Sequence, residues 1–143
     1  MIYVKDIMSR EVKTISSKAT VYEAAGAMAR FGIGSLVVMS DGELVGILTE
    51  GDVSRSIARN MDPNTTQVVK AMSKPLIVIG PDARVEEAAK LMAERHIKKL
   101  PVVEDGRLVG IVTQTDIVAS SYDLVTTLKE MVLARYRPPD FQP

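Results

Sequence analysis

The apolar positions of this chain fall into a short cycle that is run through twice. Val12-Lys13-Thr14-Ile15 reads as a brief strand. A helix follows, in which Val21, Ala24, Ala25 and Met28 form an apolar stripe at helical spacing. Thr20 with Glu23 supplies the capping box that starts it. Leu36-Val37-Val38-Met39, then Asp41-Gly42, then Leu44 through Leu48 predict a hairpin, because Asp-Gly supplies the positive φ that a tight turn needs. A helix after Asp52 closes the unit. The second pass predicts a strand at Leu76-Ile77-Val78-Ile79 and a helix striped by Val85, Ala88, Ala89 and Met92. A hairpin then runs from Leu100-Val103 through Asp105-Gly106 to Leu108-Val112, and a helix follows Asp116. Arg84 stands where the first unit has its capping Thr, so Asp82 is the expected cap.

Shifting the chain by 64 positions (8 → 72, 52 → 116) superposes the two cycles. From Val4/Val68 to Ser54/Val118 no gap is needed, and 22 of 51 pairs are identical. A period this long marks duplicated structural units rather than a local propensity. Two like units related by a local two-fold axis enclose paired clefts, which predicts symmetric binding sites. The breaker cluster Asn60-Met61-Asp62-Pro63-Asn64 places the boundary between the units. The expected division is residues 1–61, residues 62–120 and a C-terminal helix and tail over 121–143. In that last segment Tyr122, Val125, Leu128, Met131 and Val132 share one helical face before Pro138-Pro139. The stripe fits packing on the chain's own globule or a contact between subunits.

Composition narrows the classes. A chain of 143 residues can bury one good core, whereas a unit near 60 residues is marginal alone, which favours two halves fused in one globule. Eighteen basic residues balance 18 acidic ones, so no net field attracts nucleic acid. Six aromatics and no Trp leave little for stacking on bases. Without Cys and with a single His, no thiolate or imidazole cluster can hold a metal. No apolar run approaches membrane-spanning length, and residues 1–9 lack the apolar core of a signal peptide. A cytoplasmic location is expected.

The chemistry concentrates at Thr49-Glu50-Gly51-Asp52 and Thr113-Gln114-Thr115-Asp116. Each segment closes a hairpin and opens a helix, and Ser/Thr-x-x-Asp/Glu there is a capping box. Its recurrence at matched positions, beside Gly46 and Gly110, adds a functional reading. A carboxylate at that place can accept two hydrogen bonds from a vicinal diol such as ribose. The helix N-terminus and the Thr hydroxyl offer donors to a phosphate. The copies differ where a ligand's charge would be read: Arg95-His96-Ile97-Lys98-Lys99 stands against Phe31-Gly32-Ile33-Gly34-Ser35. Arg95 and His96 suit a solvated helix C-terminus. Lys98 and Lys99, entering a buried strand, suit an anion at least as well as solvent, and Gly34 leaves room for a flat ring or phosphate near the backbone.

With these residues the chain resembles a tandem pair of cystathionine-β-synthase-type (CBS) domains, the Bateman module. The resemblance covers about Val4 to Ser120. It rests on Met-Ser before the first strand, the Leu-Pro-Val-Val strand, Asp-Gly-x-Leu-Val-Gly-Ile and Thr-x-x-Asp. It implies an α/β (α+β) fold of two pseudo-two-fold-related β-α-β-β-α repeats packed through their sheets, plus a C-terminal helix. It also implies binding of AMP, ADP or ATP, with S-adenosylmethionine as an alternative ligand. By resemblance, each Asp of Thr-x-x-Asp holds ribose hydroxyls while Thr and the residue before Asp face phosphate. One site then looks like Thr113, Thr115, Asp116 and Lys98, with Val12, Lys13, Ile33 and Gly34 walling the base. The other looks like Thr49 and Asp52 with Leu76, Ile77, Ile97 and the Lys98-Lys99 pair. That second site departs from the pattern, since Gly51 has no side chain before Asp52; Arg55 is the available substitute. The Asp116 site is the first choice.

The resemblance implies a regulatory sensor rather than an enzyme, acting on a partner protein that the chain does not name. No obligatory cofactor is implied; the adenine nucleotide is a regulatory ligand. The residues agree, since no paired carboxylates, nucleophile–base pair or phosphate-cradling Gly loop stands out. A scaffold or nucleic-acid-associated module with vestigial sites is the competing class, although neutral charge disfavours nucleic acid as the main partner. Family pairs associate as disc-like dimers, and Ala24, Ala25, Ala88 and Ala89 would permit close helix approach in a homodimer.

Overall fold

The computed structural model describes residues 1–120 and 129–134. Two small sheets and the helices beside them carry the duplication. The first repeat has β1 (Thr14–Ser16), α2 (Val21–Phe31), β2 (Ser35–Ser40), β3 (Glu43–Thr49) and α3 (Glu50–Ala58), preceded by the one-turn α1 (Val4–Ile7). The second has α5 (Val85–Arg95), β4 (Lys99–Glu104), β5 (Arg107–Thr113) and α6 (Gln114–Ala119), preceded by the one-turn α4 (Val68–Ala71). Residues 129–134 are helical, with Met131, Val132 and Leu133 exposed. Tyr122, Val125 and Leu128 of the expected C-terminal stripe lie outside the described residues.

Both hairpins form as the Asp-Gly pairs predict. Asp41 and Gly42 take φ of 51° and 79°, Asp105 and Gly106 51° and 77°, the left-handed pairs whose twist matches the flanking strands. β2 runs antiparallel to β3, and β4 to β5, in the same register with a shift at matched places. The copies part at the leading strand. In the first repeat β1 lies parallel to β2, and Val37 N–H donates to the Lys13 carbonyl at 3.1 Å. The expected strand Leu76–Ile79 is reduced to a single parallel bridge, Ile79 to Val102. The position matching Val37 is Pro101, which has no N–H to give. The bonds on either side survive, Ile79 N–H to the Pro101 carbonyl at 3.1 Å and Val103 N–H to the Ile79 carbonyl at 2.9 Å.

Helix starts follow the side chains available. Thr20 Oγ1 accepts from Glu23 N–H at 3.1 Å and caps α2. Asp82 does not cap α5, contrary to the expectation. It sits two residues before the N-cap Arg84, beyond the first-turn amides, and its carboxylate instead meets Lys5 Nζ at 2.9 Å. The freed amide of Val85 donates to the Ile2 carbonyl at 3.1 Å, as Val21 N–H does to Thr66 at 2.9 Å.

Those last contacts reveal how the halves are joined. Val4 of α1, fully buried, belongs to the core formed by Ala88, Met92, Leu100, Val102 and Val112 of the second repeat. Val68 of α4 belongs to the core of Ala24, Met28, Leu36, Val38 and Leu48 in the first. Each repeat's leading turn is thus exchanged into the other. The methionines that end these turns lie on the strand glycines. A Cβ on Gly110 would sit 2.6 Å from Met8 Sδ, and one on Gly46 the same distance from Met72 Sδ. Gly46 and Gly110 therefore serve packing: only hydrogen at those positions lets the exchanged segments close on β3 and β5, which lie against each other between the repeats.

Candidate functional site

The two Thr-x-x-Asp segments fold alike and are used differently. Thr49 and Thr113 are the N-caps of α3 and α6. Each hydroxyl accepts from the Asp amide three residues on, and each Thr N–H donates to that Asp's Oδ2 at 2.9 Å. One carboxylate oxygen per segment is thereby committed to the helix start. The other oxygen separates the copies. Asp52 Oδ1 accepts from Arg55 at 2.7 Å and from the Ser73 hydroxyl at 2.7 Å, and the residue is buried. Asp116 is half-buried, and among the described residues none donates to its Oδ1. Ala119 matches Arg55 in sequence, so α6 has no guanidinium to close over that carboxylate. Among the described residues, Oδ1 of Asp116 has no donor, whereas Oδ1 of Asp52 has two.

A cleft of about 450 Å³ opens between the repeats. Gly34, Thr49, Glu50, Gly51 and Arg55 form one wall; His96, Ile97, Lys98 and Lys99 form the other, with Ser73 beside them. It joins Thr49, Arg55, Ile97 and Lys99 of the second expected set with Gly34 and Lys98 of the first. Leu76 and Ile77 do not line it. Leu76 is exposed, and Ile77 packs against the second core. Val12 and Lys13 also lie off this cleft, Lys13 Nζ resting 4.6 Å from the Phe31 ring centre. Ile33 lines an apolar groove with Ala25, Met28 and Val53. Thr115 is exposed on the first turn of α6.

The space left by Gly34 is already charged. A Cβ there would lie 2.8 Å from Glu50 Oε1 and 3.2 Å from Lys99 Nζ, so flexible side-chain tips occupy the room expected for a ring or phosphate. Burial lowers the pKa of the half-buried Lys99 ammonium below its usual value, and the nearby Glu50 carboxylate only partly offsets this. Between the lowered folded value and the ordinary one near 10.5, the unfolded chain binds more protons. Stability contributed by Lys99 therefore rises with pH across that window, and at neutral pH its charge is a cost. Lys99→Met is expected to raise the urea midpoint at pH 7 and to narrow its advantage over the parent at pH 10. An advantage that stays constant between the two pH values would refute this account.

Sequence reasoning missed Glu50 and Ser73. Ser73 was legible in principle, since Met-Ser repeats at 8–9 and 72–73, but its reach to Asp52 depends on the exchanged segment. His96 takes φ of 54° as the C-cap of α5 and lines the cleft from an exposed position, consistent with the solvated helix end expected for it. No helix among the described residues is long and apolar enough to cross a membrane.

Fold and site together define a duplicated α+β module whose two halves share a cleft with a cationic wall. A family model for the CBS domain matches residues 4–59 and again 67–123, and the chain belongs to that family. It is 38% identical over 115 residues to CBS domain-containing protein YhcV of Bacillus subtilis, covering 80% of this chain and 81% of that one. Protein MK0525 of Methanopyrus kandleri is 38% identical over 130 residues; the match spans 89% of this chain and 66% of MK0525. Among solved structures, the CBS domain pair of protein MJ0100, in complex with methylthioadenosine and S-adenosyl-L-methionine, superposes with a TM-score of 0.77. It is 33% identical, with 84% of this chain and 95% of that one covered.

Proposed function

We propose that this chain is a regulatory module that binds an adenine nucleotide between its repeats and passes the resulting bias in conformation to a partner protein. The carrying observation is the cleft built by both halves, which sets the Thr49 cap and Gly34 of one repeat against Ile97, Lys98 and Lys99 of the other. Its volume of about 450 Å³ falls within the ordinary range for small-ligand sites. The duplication repeats the capping carboxylate at Asp116, whose Oδ1 has no donor among the described residues, and this supports ribose capture there. Adenosine ligands on the MJ0100 pair add support, and S-adenosylmethionine is the second candidate for the same reason. The CBS family match supports reading the module as a sensor rather than a catalyst.

A nucleoside monophosphate has about 23 heavy atoms, and roughly 0.3 kcal/mol per atom gives a Kd on the order of 10 μM. Such affinity suits the sensing of nucleotide levels. A ligand shifts the equilibrium only by its differential affinity for two states, so cleft residues from both repeats are what make the signal. Two apolar grooves at matched places support a homodimer: one lies between α2 and α3 at Ala25, Met28 and Val53, the other between α5 and α6 at Ala89, Met92 and Ile117. A second copy laying its own helices there would cover both.

Isothermal titration with AMP, ATP and S-adenosylmethionine is expected to give saturable binding in the micromolar range for at least one of them. Light scattering at tens of micromolar should give twice the 15.6 kDa chain mass. Absence of binding at millimolar ligand would overturn the sensor reading, and a monomeric mass would remove the dimer.

A further inference from the structure

A second hollow, lined by Asp52, shares Arg55 and Ser73 with the cleft. It has a volume of about 290 Å³ and is formed where α3 meets α4 and the loop after it. Arg55, Arg59, Lys70 and Lys74 converge on it from these three segments. The one acid in its wall is Asp52, whose Oδ1 is already held by Arg55 and Ser73. Four cations against one neutralised carboxylate leave a concave surface of three net positive charges. The like charges repel one another across the hollow, and no described carboxylate pairs with Arg59, Lys70 or Lys74.

The other repeat supplies an internal reference. Sixty-four positions away, Arg55, Arg59, Lys70 and Lys74 correspond to Ala119, Asp123, Asp6 and Arg10. Asp6 is spent on its own turn, accepting from Tyr3 N–H at 2.8 Å. A set of four cations in one copy matches one cation and two acids in the other, although the capping Asp and its Thr are shared. Arg55 holds Asp52, whereas Arg59, Lys70 and Lys74 have no described acid partner within the fold.

We propose that the hollow bounded by Arg55, Arg59, Lys70 and Lys74 is an anion site for a phosphate-bearing ligand of diphosphate or triphosphate size. Guanidinium and ammonium groups from several directions suit the dispersed charge and many acceptor oxygens of such a group. Arg55 and Ser73 line both this hollow and the cleft, so the two sites share a wall. The phosphate can come from the tail of a nucleotide seated in the cleft or from a free polyanion. Binding here does not depend on the adenine reading, because Arg59, Lys70 and Lys74 lie outside the cleft.

The test titrates inorganic pyrophosphate into the full chain by calorimetry. Saturable binding is expected, weakened about tenfold or more in Arg59→Ala/Lys70→Ala. Both residues are exposed and neither bonds to Asp52, so the fold should hold, which circular dichroism checks. Removing two charges elsewhere, as Lys18→Ala/Lys90→Ala, is expected to change affinity less than twofold. Displacement of pyrophosphate by ATP and not by AMP assigns the ligand as a nucleotide tail; displacement by neither assigns it as a free anion. No binding of pyrophosphate, or equal weakening in the two double variants, overturns the proposal. Pyrophosphate binding that responds to Arg59 and Lys70 in a protein that takes no adenine ligand would leave this site standing and remove only the sensor reading.

Discussion

Removing residues 1–8 is expected to cost about 4 kcal/mol or more of stability and to loosen the second repeat, although the deleted residues precede the first. Val4 is fully buried among Ala88, Leu100, Val102 and Val112, and burying a Val contributes roughly 1.5–3 kcal/mol. Ile7 and Met8 pack against the same core, and Met8 covers Gly110. The deletion also strips backbone partners: Val4 N–H donates to the Ala83 carbonyl at 2.8 Å and Val85 N–H to Ile2 at 3.1 Å. Against a usual total of 5–15 kcal/mol, this loss is large. Hydrogen exchange locates it. Amides of β4 and β5 should lose protection before those of β2 and β3, while Val68→Ala should do the reverse at roughly 2 kcal/mol. Protection lost first in β2 and β3 on truncation would disprove the crosswise exchange.

For ligand binding, the largest single effect is expected from Asp116→Ala, which should weaken AMP affinity by roughly 1.5–3 kcal/mol, the range for hydrogen bonds to a charged acceptor. The reason is the division of labour between the two oxygens. Oδ2 holds the Thr113 amide at 2.9 Å, and Oδ1 has no described donor, so a ribose diol can engage it without displacing a protein contact. Loss of Oδ2 leaves α6 short of half its cap, a cost of about 1 kcal/mol in stability that a melting curve reads separately. Asp52→Ala should show the opposite balance. Its three accepted bonds, from Thr49 N–H, Arg55 and Ser73, are structural, so stability falls more than affinity. Titration calorimetry on both variants decides between the two carboxylates. Asp116→Ala within twofold of the parent affinity would end the ribose assignment.

How much could be read in advance differs from element to element. Both hairpins and the long helices α2 and α5 were legible because period and turn chemistry are local. Asp-Gly takes its φ values wherever it stands, and Ala24/Met28 or Ala88/Met92 recur on one face whatever packs there. The helix starts at Thr49 and Thr113 were legible for the same reason, since a capping box closes within four residues. Less legible was the second leading strand. Leu76–Ile79 is more apolar than its counterpart Val12–Ile15, yet Pro101, more than 20 residues away, withholds one ladder donor. Asp82 lay within reach of a capping argument but was claimed by Lys5, 77 residues distant in sequence.

The duplication, the element order and the matched Asp carboxylates are properties of the sequence alone, because each is fixed by spacing along the chain. The exchange of α1 and α4 between cores was decided only in three dimensions, and so was the engagement of Asp52 by Arg55 and Ser73. So too was the filling of the Gly34 space by Glu50 and Lys99. All three depend on which segments meet after the chain closes on itself. Contacts of that kind arise from the packing of surfaces far apart in sequence, and no local period records them.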